Sequence, residues 1–114
     1  MGARLKDKVA IITGGGIGIG KAIARTFVSE GATVVVAART LFNLEKAVKE
    51  FEAMGGRAMA MQTDVTDEKQ VIRMVSETMK AFGKIDILVN NSGIGGPTCN
   101  VVDMKLEEWN QILA

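Results

Sequence analysis

Histidine and tyrosine are both absent from these 114 residues, and cysteine occurs once, at Cys99. A single thiol excludes an internal disulfide and fits a reducing compartment. With no histidine and one cysteine, a zinc site of the usual kind has no ligands. No base stands beside Cys99 in the sequence, so it reads as a spectator thiol. Charge of one sign is also missing: the formal net charge is +1 and the basic residues are scattered. Nothing there favours nucleic acid or an anionic membrane as a partner. No apolar run approaches the roughly 20 residues a membrane-spanning helix needs. The first residues, Met-Gly-Ala-Arg-Leu-Lys-Asp-Lys, lack the apolar segment of a secretory signal. Gly2 is no myristoylation site, because Lys6 stands where serine or threonine is wanted. The expected location is the cytoplasm.

Hydrophobic residues make up 47% of the chain and charged ones 24%, which suits a soluble globular protein with one domain over residues 1–114. Strand-like openings recur at about Val9, Thr33, Arg57 and Ile85, each followed by a helical pattern. Repeated βα units of this length predict a parallel α/β sheet. Val9–Thr13 and Thr33–Ala38 are near-continuous apolar runs, as expected where both faces are covered. The first helix carries Ile19, Ile23 and Phe27 at helical spacing, with Ala22 and Ala24 suited to close approach, and stops at Gly31. The second carries Leu44, Ala47, Val48, Phe51 and Met54 on one face and stops at Gly55-Gly56. The third begins near Thr66, presents Val71, Val75, Met79 and Phe82, and closes at Gly83. The methionines, Met59 and Met61 included, read as core filler. Gly95 to Val102 reads as a loop, and a last helix is expected from about Asp103 to Leu106 onward, with Trp109, Ile112 and Leu113 on one side.

The first strand runs straight into Thr13-Gly-Gly-Gly-Ile-Gly-Ile-Gly20, five glycines within seven residues. Glycines between a strand and a helix let bare backbone approach a ligand. The following helix offers unpaired N–H groups and a partial positive charge, a seat for phosphate. A dinucleotide pyrophosphate is the expected occupant. A competing spelling overlaps it: Gly15-x-x-x-x-Gly20-Lys21 opens like a P-loop. Ala22 stands where that motif needs a hydroxyl for Mg²⁺, and Ile17 and Ile19 would crowd the phosphates. Lys21 reads instead as a solvated first-turn residue.

At the end of the second strand, NAD-binding units place a carboxylate that accepts from the ribose 2′-hydroxyl. Here Ala38 occupies that place and Arg39 follows. A guanidinium is suited to a 2′-phosphate, so NADP(H) is expected over NAD(H).

Thr13-Gly14-x-x-x-Gly18-Ile19-Gly20, together with Asn90-Asn91-Ser92-Gly93, resembles the short-chain dehydrogenase/reductase family, which carries T-G-x-x-x-G-I-G and N-N-A-G. Ser92 departs from the family's usual alanine. The resemblance covers nearly the whole chain but only the first half of the family's length. It implies a Rossmann-type doubly wound sheet in strand order 3-2-1-4, truncated after the fourth strand and part of the following helix. It implies cofactor contacts from Gly14, Gly16, Ile17, Gly18, Ile19, Gly20, Arg39, Asp64, Val65, Asn91, Ser92 and Gly93. In the family an aspartate at the position of Asp64 lines the adenine pocket. Physically, that carboxylate can accept from the adenine amino group, or it can simply cap the turn into the third helix. Asn90 would tie neighbouring strands together.

The family reduces ketones, or oxidises secondary alcohols, with a Tyr-x-x-x-Lys pair, a serine and an asparagine. The tyrosine exchanges a proton with the oxygen that gains charge as hydride moves. This chain has no tyrosine, and Asn110, adjacent to Trp109, stands too early to match the family's asparagine. The chain by itself is therefore expected to be inactive, with no catalytic residue and no metal site. A non-catalytic nucleotide-binding module and, behind it, a P-loop phosphotransferase are the other classes. An unpaired edge on the fourth strand and an uncovered last helix would favour a homo-oligomer.

Overall fold

The computed structural model describes residues 4–91 and the backbone of residues 100–103. Strands β1 (Val9–Thr13), β2 (Thr33–Ala38), β3 (Arg57–Gln62), β4 (Ile87–Asn90) and β5 (Asn100–Asp103) form one sheet. Helices α1 (Gly18–Ser29), α2 (Leu41–Ala53) and α3 (Glu68–Phe82) connect the first four strands. The sheet order is β3-β2-β1-β4-β5, and the first four strands run parallel. This is a Rossmann-type doubly wound sheet, with the expected order 3-2-1-4 across its parallel part.

Side chains alternate across a strand, so the two faces of β1 and β2 can be assigned residue by residue. Ala10, Ile12, Val34 and Val36 pack with Ala24 and Val28 of α1 and with Leu44, Ala47 and Phe51 of α2. Ile11, Val35 and Ala37 pack on the opposite face with Met74 and Val75 of α3 and with Ile85. Both faces are therefore dry, which explains the unbroken apolar spelling of β1 and β2. Burial of each such valine or isoleucine is worth roughly 1.5–3 kcal/mol. Among the described residues no helix is long and apolar enough to cross a membrane.

The helices end as their glycines imply: Gly31, Gly55 and Gly83 each have a left-handed φ. Three local expectations are corrected. The fully buried stripe of α1 is Gly20, Ala24 and Val28; Ile23 and Phe27 pack half-buried against the same core as expected, but Ile19 is 56% exposed and Ala22 is also on the outside. The smallest residues face the sheet because the helix begins almost in contact with β1. Helix α3 starts at Glu68 rather than near Thr66, because Asp67 takes the N-cap position and accepts from the Lys69 N–H at 3.0 Å. Finally, residues 100–103, read as loop and helix start, pair antiparallel with β4. Val101 and Val102 are β-branched, and the open side of β4 offers its backbone groups for pairing. The free β4 edge expected from the sequence is thus covered. Ser92, Gly93, Cys99, Trp109, Asn110, Ile112 and Leu113 lie outside the described residues.

Candidate functional site

The order in which strands are added reverses at β1: β2 lies on one side of it and β4 on the other. In open α/β sheets the crevice beyond the carboxyl ends at such a switch point is where ligands bind. Register brings the relevant residues level there. Thr13 stands opposite Ala37 of β2 and opposite Asn90 of β4, and Ala38 stands opposite Gln62 of β3. Backbone bonds carry the ladder past the strand ends, from Gly14 N–H to the Ala37 carbonyl at 2.7 Å and from Thr63 N–H to the Ala38 carbonyl at 2.8 Å.

Thr13 is the knot between the two halves. Its hydroxyl donates to Asn90 Oδ1 at 3.1 Å, with the Val89 carbonyl a longer acceptor at 3.4 Å. The same oxygen accepts from the Asn91 N–H at 2.9 Å. Asn90 thus ties adjacent strands, as the resemblance implied, but its partner Thr13 carries no mark in the sequence beyond its place before the glycines.

The glycine turn is tight for two separate reasons. Gly14 has φ +69°, a left-handed conformation that other residues adopt only at a cost. Gly20 has no such φ, but a Cβ there would lie 2.1 Å from the Gly14 carbonyl oxygen and 2.7 Å from Asn91 Nδ2. Helix α1 therefore starts against the turn and against the end of β4. Gly16 is buried, and a Cβ on it would sit 3.2 Å from Asn43 Cβ and 3.3 Å from the Leu44 nitrogen. Its role in the structure is close packing against the first turn of α2. Gly18, by contrast, has open space around it, and Ile17 and Ile19 are 65% and 56% exposed at the same turn.

Helix starts differ in a telling way. Helix α1 begins after Ile17 with no side-chain cap and no acidic residue in its first turn. Helix α2 begins after Thr40 in the same condition, one residue beyond Arg39. Helix α3 has both an Asp67 cap and Glu68 in its first turn. The first N–H groups of a helix have no intrahelical acceptor, and together they carry about half a positive charge. At α1 and α2 no side chain of the helix start neutralises that charge, so both ends are suited to an anion.

Arg39 is exposed at the end of β2, where its carbonyl accepts from Gln62 Nε2 at 2.9 Å. Asp64 is half-buried beyond β3. Its Oδ1 accepts from the Thr66 hydroxyl at 2.6 Å and from the Thr66 N–H at 2.9 Å. These two bonds, with a smaller contribution from the Arg39 charge, hold the Asp64 carboxyl below the ordinary aspartate pKa. Asp64 therefore does shape the turn toward α3, while Asp67 is the cap proper. Val65 is half-buried beside it. Lys21, read as a solvated residue, is paired: its Nζ lies 2.6 Å from Glu50 Oε2 and so bridges α1 to α2. That contact lowers the Glu50 pKa. A P-loop lysine would instead have to serve phosphate.

The glycine turn, the uncapped α1 start, Arg39, Asp64 and Asn91 thus all follow the carboxyl ends of the parallel strands. They fit a dinucleotide in chemistry: backbone N–H donors for a pyrophosphate, a cation after β2, and a carboxylate after β3. Residues 8–114 match the short chain dehydrogenase family. The chain is 40% identical over 110 residues to a 3-oxoacyl-[acyl-carrier-protein] reductase of Thermotoga maritima, covering 96% of this chain and 44% of that protein. It is 46% identical over 108 residues to a 7alpha-hydroxysteroid dehydrogenase of Escherichia coli K12, covering 95% of this chain and 42% of that one. A crystal structure of a short chain dehydrogenase/reductase from Burkholderia phymatum in complex with NAD superimposes with TM-score 0.72 at 34% identity, over 74% of this chain and 30% of that one. The chain spans less than half the length of these relatives. The residues that build the crevice and the matches across them lead to one conclusion: this chain belongs to the short-chain dehydrogenase/reductase family.

Proposed function

We propose that this chain is the NADP(H)-binding portion of an oxidoreductase acting on a ketone or secondary alcohol. The observation that carries the reading is the pair of uncapped helix starts, one above the glycine turn and one directly after Arg39. The first is suited to the pyrophosphate, the second with Arg39 to a 2′-phosphate. Asp64 and Val65 would serve the adenine end. Gly14, Gly18 and Gly20 would let the backbone approach, Ile17 and Ile19 would flank the phosphates, and Gly16 would hold α2 close. Asn91, with Ser92 and Gly93, would pass the ribose on the nicotinamide side. The nicotinamide, when bound, supplies or accepts the hydride.

The relatives' names differ in substrate, so the proposal extends only to the carbonyl/alcohol class. The 114-residue chain holds no tyrosine. By itself it is proposed to bind dinucleotide without reducing carbonyls, since a proton donor of the family's kind is lacking. The proposal also includes a cytoplasmic location, from cysteine usage, and a homo-oligomer. With the β4 edge covered, the oligomer rests on Trp109, Ile112 and Leu113, outside the described residues.

Calorimetric titration of NADPH and NADH against the chain and against Arg39→Ala tests the cofactor assignment. NADPH is expected to bind more tightly, and the substitution to weaken NADPH by roughly 1.5–3 kcal/mol while leaving NADH nearly unchanged. Equal affinities in the unsubstituted chain, or a preference for NADH, would remove Arg39 from the site.

A further inference from the structure

Asp64 stands in a web of contacts that the glycine turn and Arg39 do not explain. Its N–H donates to Gln70 Oε1 at 2.8 Å, across six residues and from inside helix α3. The same amide of Gln70 donates through Nε2 to Asp67 Oδ2 at 3.1 Å. The Asp67 N–H returns to the Asp64 carbonyl at 3.0 Å. Gln70 is thus bonded at once to Asp64, two residues past the end of β3, and to the residue that caps α3. From the other side, Thr66 takes hold of Oδ1 of Asp64 with both its hydroxyl and its N–H. Among the described residues, Oδ2 of Asp64 takes no hydrogen bond. The carboxylate is therefore anchored by one oxygen, while the other remains an acceptor.

This arrangement matters because a free aspartate at a strand end samples several rotamers, and holding it in one is an entropic cost that binding would otherwise carry. Thr66 holds the carboxylate itself, while Gln70 fixes the backbone that carries it, because a glutamine amide offers an acceptor for the Asp64 N–H and a donor for Asp67 on one planar group. Leucine would match its length and neither bond. Nothing in the spacing of the sequence marks Gln70.

We propose that Gln70, which holds the Asp64 backbone N–H and so sets the turn from which the side chain projects, and Thr66, which holds its Oδ1, are positioning residues that leave the second carboxylate oxygen for the 6-amino group of the adenine. The inference rests on the dinucleotide reading given above. It assigns the recognition of adenine as a base to a three-residue device, in which Asp64 touches the ligand and Gln70 acts only through Asp64.

The test compares NADPH with its hypoxanthine analogue, in which a carbonyl replaces the 6-amino group, by titration against the full 114-residue chain. The unsubstituted chain is expected to bind the adenine form about tenfold or more tightly, the loss of a charge-assisted hydrogen bond. Gln70→Leu is expected to shrink that ratio to about twofold or less. A merely structural role for Gln70 would lower the melting temperature and both affinities together, leaving the ratio where it was. Should Gln70→Leu fail to fold, Thr66→Val, at an exposed position, reads the same device from its other side and is expected to lower the ratio too. An unchanged ratio in the folded variants overturns the role of Gln70 and Thr66. An unsubstituted chain that binds NADPH but shows no preference for adenine overturns the assignment of Asp64 and this inference with it. A chain that binds neither dinucleotide overturns the proposed function itself.

Discussion

Replacing Gly20 with alanine sets two effects of opposite sign against each other. Gly20 lies inside α1, where alanine is favoured over glycine by about 0.8–1.0 kcal/mol on helix propensity alone. The backbone φ there is not in the left-handed region, so no conformational penalty opposes the change. Space does oppose it. The new Cβ would lie 2.1 Å from the Gly14 carbonyl oxygen and 2.7 Å from Asn91 Nδ2. The nearest atom belongs to backbone in the tightest turn of the fold, not to the end of a flexible side chain. Overpacking of this kind costs about 3 kcal/mol, the upper part of its usual range. The net expectation is about 2 kcal/mol of destabilisation. For a domain near this size that corresponds to a fall in Tm of about 8–16 °C. Urea unfolding and a thermal melt followed by far-ultraviolet circular dichroism measure it, with a constant m-value showing that stability changed and the surface exposed on unfolding did not. Dinucleotide affinity should fall as well, because the Gly14 carbonyl must move. A Gly20→Ala chain that melts at or above the unsubstituted one would refute the steric argument and leave only helix propensity.

Two further outcomes follow from the ion pair and the Asp64 turn. Lys21→Ala should leave NADPH affinity unchanged and lower stability only slightly, since Lys21 serves the exposed pair with Glu50; a collapse in nucleotide binding would revive the P-loop reading. The Asp64 carboxyl should titrate below an ordinary aspartate, so its support for the turn is complete above the ordinary aspartate pKa and is lost as pH falls through the depressed value. Carboxyl chemical shifts across an acid titration measure this, and Thr66→Val should raise the midpoint, because the Thr66 bonds are the main cause of the depression. A midpoint that stays put would show that Thr66 does not hold the carboxylate.

What the sequence by itself determined is whatever depends on near neighbours along the chain. Apolar runs in β1 and β2, helix stops at Gly31, Gly55 and Gly83, and the crowded glycines after Thr13 are steric and conformational properties of short segments. They allowed a parallel α/β sheet to be expected, and Arg39 and Asp64 to be placed at strand ends, whereas the doubly wound order 3-2-1-4 was implied by the family resemblance. Only the tertiary structure decided which distant groups meet. Thr13 and Asn90 bond across 77 positions, and Asn91 closes on the glycine turn across a similar span. Gly16 turned out to face Asn43, and Lys21 to face Glu50, because α1 and α2 pack on the same side of the sheet. The outer edge of β4 was filled by residues 100–103, a choice made by available backbone groups rather than by any local pattern. Periodicity shows that a residue turns inward; the residue it then meets is set by sheet register and helix docking, which hydrophobic burial selects for the chain as a whole.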